Sequence, residues 1–238
     1  MKKTFFIAVL LFFGFQANSQ VLLSLIFGDA LNSDGLEFGL QGGVNYSNMS
    51  GLESSEANGT FNLGFYFDIK LKEHLSIYTG VMVKQNVGAG NLSDADIAFL
   101  KGTLFTDEGT YDQVTEFFYI PILLRYKFNN NFFLEAGPQI GYQRDAYVKF
   151  TSKSDNRKSD IRDYNDDLFN RFEIGMAGGI GYKFEKGIGL TIMLKYYQGM
   201  TEAMKDFSGY KNNGFFLTVG VPIGAGKGKK KAEENADN

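Results

Sequence analysis

From Thr60 to Leu71 the chain alternates without a break. Phe61, Leu63, Phe65, Phe67, Ile69 and Leu71 occupy the odd positions, and Thr60, Asn62, Gly64, Tyr66, Asp68 and Lys70 the even ones. A period of two sends the two sets to opposite faces of a pleated strand, whereas a helix would scatter the apolar set round its axis. The same split recurs in Leu36–Ser47, Leu75–Asn86, Phe118–Phe128, Phe132–Gln143, Phe172–Phe184, Ile188–Tyr197 and Phe215–Ile223. Segments of roughly 9–13 residues match the length of a tilted strand that crosses a bilayer. The pattern predicts an all-β fold, an eight-stranded antiparallel up-and-down transmembrane β-barrel over residues 36–223, with a short N-terminal helix before it.

The connections alternate as well. Tight turns fall at Lys72-Glu73-His74, Asn129-Asn130-Asn131 and Glu185-Lys186-Gly187, and long loops at about residues 48–59, 87–115, 144–170 and 198–213. Short turns at one end and long loops at the other are the arrangement of outer-membrane barrels, with the turns and both termini in the periplasm.

The N-terminus reads as an address. Lys2 and Lys3 precede the apolar run Phe5 to Phe15, and small residues follow at Ala17 and Ser19. This predicts a secretory signal peptide over residues 1–19, cleaved after Ser19. Residues 20–35 contain VLLSLIFGDALNS, too short to span a bilayer as a helix. They are expected to form a brief periplasmic helix, with Leu22, Leu23, Leu25, Ile26 and Phe27 at the barrel mouth or in the interface. Residues 224–238 carry Lys227, Lys229, Lys230 and Lys231 and read as a disordered periplasmic tail.

Alternation also explains the composition. The chain has 29 Gly, 24 Phe and 13 Tyr, yet its mean hydropathy is only −0.18, because an apolar face and a polar face cancel. The apolar face is assigned to lipid. Phe38, Tyr126, Phe128, Phe132, Tyr182 and Phe184 fall near the turns, and Tyr46, Phe61, Phe118, Tyr142, Phe172 and Tyr196 near the loops, where aromatic girdles belong. The polar face carries the cations Lys70, Lys84, Arg125, Lys127, Arg171, Lys183 and Lys195 and the anions Glu37, Asp68, Glu135 and Glu173. Eight strands enclose a lumen that side chains fill, and charges buried there must pair, so these residues are predicted to form a lumen charge network. Two alternatives stay open: a soluble lipocalin-like barrel with the apolar face around a ligand, and a narrow anion-preferring pore.

Chemistry-bearing residues are sparse. There is no Cys, which removes disulfides, thiolate metal sites, cysteine nucleophiles and a lipoprotein anchor together. The single His74 lies in a predicted turn and reads as a solvated turn residue rather than a general base. Asp160, Asp163, Asn165, Asp166 and Asp167 lack the spacing of a calcium loop and are interspersed with Arg157, Lys158 and Arg162. Gly175, Gly178, Gly179 and Gly181 sit in an alternating strand with no helix after them, so strand packing or lumen space explains them better than phosphate binding. No catalytic, cofactor or metal residue is assigned, and a non-enzymatic protein is expected. A net charge of −3 offers no basic field for nucleic acid.

The segments FGLQGGVNYSNMSG, FFYIPILLRYKF, FFLEAGPQIGY and GFFLTVGVPIG resemble the small outer-membrane β-barrel proteins of Bacteroidota, grouped as PorT-like or porin-family proteins. The likeness spans about residues 36–223. It implies the barrel fold and the outer membrane, and it implies no activity, because most of that family has no assigned biochemical role. One member acts in secretion and gliding, and no residue here carries that role over. The chain also departs from proteobacterial barrels in not ending on an aromatic residue, which leaves the assembly machinery to recognise the last strand internally. The expected partners are outer-membrane lipid and lipopolysaccharide, the barrel-assembly machinery, and a protein or glycan at the extracellular loops. The barrel is expected to be a monomer.

Overall fold

The first strand closes onto the last: Leu40 lies opposite Phe65 on one side and opposite Val221 on the other. The computed structural model describes residues 35–53, 56–153, 160–184 and 189–223. The predicted signal peptide, nearly all of the 20–35 segment, the expected Glu185-Lys186-Gly187 turn and the predicted 224–238 tail lie outside the described residues.

The strands are β1 (Leu36–Met49), β2 (Glu56–Lys72), β3 (Leu75–Gly90), β4 (Gly109–Lys127), β5 (Phe132–Ser152), β6 (Asp160–Tyr164), β7 (Phe172–Lys183), β8 (Thr191–Gly199) and β9 (Asn212–Pro222). One short helix, α1 (Asp94–Phe99), sits between β3 and β4. All pairings are antiparallel, and β1-β2-β3-β4-β5-β7-β8-β9 closes as an eight-stranded ring. Among the described residues β6 pairs only with the far end of β5 and lies off the ring.

Side-chain burial follows the alternation. On β1, Leu40, Val44 and Tyr46 are exposed on the outer wall, while Gln41, Asn45 and Ser47 are buried in the lumen. On β4, Ile120, Ile122, Leu124 and Tyr126 face outward, and Tyr119, Leu123 and Arg125 face inward.

Two strands run past their sequence limits. β4 starts at Gly109 instead of Phe118, and β5 continues to Ser152 instead of Gln143, so much of the two loops on either side is sheet. Alternation fades in these extensions because both faces are covered. Ala146, Tyr147 and Val148 are buried in succession, as are Gln113, Val114 and Thr115.

β3 contains a bulge. Leu63 pairs with Lys84 and the next residue, Gly64, with Met82, so Val83 is the extra residue. Inward positions are even before it (Ser76, Tyr78, Met82) and odd after it (Gln85, Val87). One inserted residue reverses the facing of everything beyond it.

The interior holds two cores. The barrel core gathers Tyr66, Tyr78, Phe117, Tyr119, Phe133 and Tyr197 with aliphatic neighbours. A second core at the long-loop end joins Met49, Leu52, Leu92, Ile97, Leu100, Val148, Phe169 and Met204, drawn from the end of β1, from α1, from the β5 extension and from the loops. The helix is capped by Ser93, whose side chain accepts from the Asp96 N–H. The long loops therefore form a packed cap.

Candidate functional site

Inside the short-turn half, β4 carries Arg125 and β5 carries Glu135 at directly opposed positions. Arg125 Nε and Nη2 both donate to Glu135 Oε2, at 2.9 and 2.6 Å, and Nη1 donates to Asp68 Oδ2 at 3.0 Å. The guanidinium lies between the Tyr78 and Phe133 rings, 4.0 Å from each centroid. Lys127 reaches the same Asp68 oxygen at 2.8 Å, Lys195 lies 3.9 Å from Glu135 Oε1, and Lys183 pairs with Glu37. Ion pairs, hydrogen bonds and cation–π contacts together compensate charges that water no longer solvates.

Nearer the cap, Glu173 is buried without a cation in contact among the described residues. Its carboxylate accepts from Tyr119 Oη at 2.9 Å, Tyr197 Oη at 2.6 Å and Asn212 Nδ2 at 2.5 Å.

Three of the eleven charges assigned to the lumen lie elsewhere. Lys70, opposite Ser76 beside the first short turn, is exposed at the rim. Lys84 is turned onto the outer wall by the Val83 bulge and sits beside exposed Leu63. Arg171 is exposed at the long-loop rim, its Nη1 donating to the Arg144 carbonyl at 3.4 Å.

A lumen of charge and glycine is also too simple a picture, since tyrosine and phenylalanine fill much of it. The signal was available, because Tyr66, Tyr78, Tyr119, Tyr197 and Phe216 all occupy inward positions in the alternation. The glycines make room for these rings. A Cβ on Gly39 would stand 2.5 Å from the Tyr66 ring, one on Gly181 2.1 Å from that of Phe133, and one on Gly175 2.5 Å from that of Tyr197.

The predicted girdle residues fall in pairs and short runs, side by side across neighbouring strands or two residues apart along one. Toward the turns, Tyr126 packs on Phe128 at 5.1 Å, Phe132 on Tyr182 at 4.9 Å, Tyr182 on Phe184 at 5.0 Å, and Phe38 on Phe67 at 5.1 Å. Toward the loops, Tyr142 packs on Phe172 at 5.4 Å and Tyr196 on Phe215 at 4.9 Å. Phe118 lies opposite Tyr142, and Phe61 opposite Val44, two residues from Tyr46.

The remaining candidates are dispersed. His74 Nδ1 is 3.0 Å from the Lys127 carbonyl and ties two neighbouring turns together. The acidic loop residues build the cap. Asp163 accepts from the Thr103 N–H at 2.7 Å, Asp166 from the Ala146 N–H at 2.6 Å, and Asp167 pairs with Lys101 at 2.5 Å. Buried Asn165 links the Leu100 carbonyl to Gln113, and Asp160 accepts from Thr151 Oγ1 at 3.1 Å. Among the described residues no cluster of three or more acidic or histidine side chains is arranged to hold a metal.

A closed ring of eight long strands, apolar and ringed with aromatics outside and packed inside, defines an integral outer-membrane β-barrel. The chain belongs to the outer membrane protein beta-barrel domain family, whose profile matches residues 16–205. No curated protein matches in sequence. Among solved structures the chain is similar to Ail, the attachment invasion locus protein of Yersinia pestis, crystallised with the heparin analogue sucrose octasulfate. The identity is 12%, the match covers 80% of this chain and 99% of that one, and the TM-score is 0.43. It is also similar to Neisserial surface protein A (9% identity, 79% and 99% covered, TM-score 0.41) and to OprG of Pseudomonas aeruginosa (14% identity, 79% and 93% covered, TM-score 0.32).

Proposed function

We propose that this barrel is a non-enzymatic surface-interaction protein, in which a side-chain plug seals the lumen and the long-loop cap is the binding surface. The observation that carries the reading is the cap's own hydrophobic core. Ile97 and Leu100 are fully buried with Met49 from the end of β1 and Met204 from a distant loop, which holds the loop surface in one shape. Preorganised surfaces bind with a smaller ordering cost than free loops. The short turns and both termini face the periplasm and the cap faces outward, an orientation supported by the loop asymmetry. The resemblance to the PorT-like barrels of Bacteroidota belongs to the same reading. The expected partners are lipopolysaccharide around the wall, the assembly machinery during insertion, and a protein or glycan at the cap.

Biotinylation of intact cells with a membrane-impermeant reagent tests it. Lysines of the cap such as Lys101 and Lys205 should label and Lys72 at the short turns should not. The reverse pattern would sink the reading.

A further inference from the structure

Two bulges place cations at one level of the outer wall. On β3, Val83 and Lys84 together stand opposite the single girdle residue Phe118, and both are exposed. On β5, Arg144 is the extra residue between Gln143 and Asp145, which pair with Phe117 and Glu116 of β4. Its guanidinium lies 5.7 Å from the Phe118 ring centroid. Arg171 precedes Phe172, the partner of Tyr142, and its Nη1 donates to the Arg144 carbonyl at 3.4 Å. Lys84, Arg144 and Arg171 thus border the girdle rings Phe118, Tyr142 and Phe172 on neighbouring strands.

The three cations are not equivalent. Arg144 is committed to Glu116 and to Asp145, its Nε 3.1 Å from Asp145 Oδ2. Lys84 and Arg171 are exposed and have no carboxylate partner among the described residues. Arg171 uses one of its five donors on the carbonyl and keeps the rest. A cation on a lipid-facing wall lays its apolar stem along the wall and carries its charged head to the polar boundary. The aromatic girdle marks that boundary, and lipid phosphates are the anions found there. The far side of the rim differs. Two residues loopward of Tyr46, Tyr196 and Phe215 stand Asn48, Gln198 and Asn213, all uncharged.

We propose that this sector, from β3 to β7, binds the diphosphorylated sugar headgroup of an outer-leaflet glycolipid, with Lys84 on one phosphate and Arg171 on the other; the proposal rests on the long-loop end facing outward. The two cations stand three strand intervals apart, roughly 14 Å, comparable with a disaccharide that carries a phosphate at each end. A phospholipid with a single phosphate satisfies only one of them at a time. The guanidinium fork takes a phosphate bidentately and the ammonium takes one as a point charge. Glu116 and Asp145 do not oppose the headgroup, because Arg144 holds both.

The test uses the full-length barrel in non-ionic detergent, with lipid binding followed by native mass spectrometry. The probes are diphosphoryl lipid A, monophosphoryl lipid A, phosphatidylglycerol and inorganic phosphate. The expected result is saturable retention of one diphosphoryl lipid A, with the other three bound more weakly. Binding should fall about fivefold in Lys84→Gln or Arg171→Gln and about thirtyfold in the double variant, the loss of one and of two interfacial cations. Lys72→Gln, at the short-turn end, should leave it unchanged. Heat-modifiable gel mobility verifies folding of each variant. Retention untouched by the double variant, an equal loss in Lys72→Gln, or equal binding of phosphatidylglycerol overturns the proposal. Surface labelling of the cap on intact cells is read separately. A labelled cap without selective lipid binding removes this site alone, and an unlabelled cap removes the orientation on which the broader reading also depends.

Discussion

Arg125 and Glu135 face each other across the β4–β5 ladder inside the barrel, Nη2 to Oε2 at 2.6 Å, with both side chains almost wholly removed from solvent. Asp68 completes the group from β2 at 3.0 Å. Taking away the cation leaves two buried carboxylates near each other with Lys127 and Lys195 as their remaining counter-charges. Arg125→Leu should therefore destabilise the barrel by about 3–5 kcal/mol, the usual consequence of breaking a buried pair from one side. Arg125→Lys should recover only part of this, lacking the planar fork and the ring stacking. Urea unfolding in detergent, followed by tryptophan-free fluorescence of the tyrosines, measures both.

Gly181 leaves space for Phe133, one of the two rings enclosing Arg125. Gly181→Val should force that ring from its place and cost about 1–3 kcal/mol, as overpacking does. Combined with Phe133→Ala, which removes the obstructing ring, the two effects should fall short of their sum. Additive losses in the double variant would separate the glycine from the arginine site.

Ile97 is fully buried in the cap and far from the barrel core. Ile97→Ala should weaken the cap by about 2–5 kcal/mol, with faster proteolysis in the loop between β3 and β4. The heat-modifiable shift of the barrel should stay as in the parent. Loss of both together would mean that cap and barrel unfold as one unit.

Lys84 faces the outer wall, although the alternation counted from Leu75 assigns it to the lumen. Single cysteines at 82, 84 and 85, spin-labelled in bilayers, should show high oxygen accessibility at 84 and low values at 82 and 85. A label at 84 shielded like its neighbours would remove the bulge.

Asp167 is held below the ordinary carboxylate range by its hydrogen bond from Lys101. A carboxyl depressed in the folded state stabilises above its unfolded value, and that contribution disappears as pH falls through the folded one. Proteolysis of the cap should therefore speed up more on acidification in the parent than in Asp167→Asn, which has no such proton to take up. Equal acid sensitivity in the two proteins would show that the pair contributes nothing.

The strand pattern was legible wherever a strand has one apolar outer face and one mixed inner face, as from Thr60 to Leu71. It failed where that contrast is lost. Met82 and Val83 are both apolar, so the extra residue leaves no trace in the alternation, and Lys84 is assigned to the wrong face. The extensions of β4 and β5 are covered on both sides and read as loop. Charges that lie within the packed interior, Arg125 and Glu135, could be placed by parity alone. The rims could not, because Lys70 and Arg171 share inward parity yet lie beyond the packed interior. The hydrogen bonds that join Asn45, Thr60 and Asn86 bring three strands together, which no local spacing reveals.

The seam between β1 and β9 joins the two ends of the barrel sequence, with Leu40 opposite Val221 and Tyr46 opposite Phe215. Until β9 has been synthesised and delivered, β1 has no partner on that side, and the growing sheet carries an open edge that invites pairing with another chain. Closure is then a single late event that bridges almost the whole length of the barrel and carries a large loop-entropy cost. A chain cut short in the loop before Asn212 would thus lose more than one strand: it would become an open sheet, prone to aggregation and to clearance by proteases.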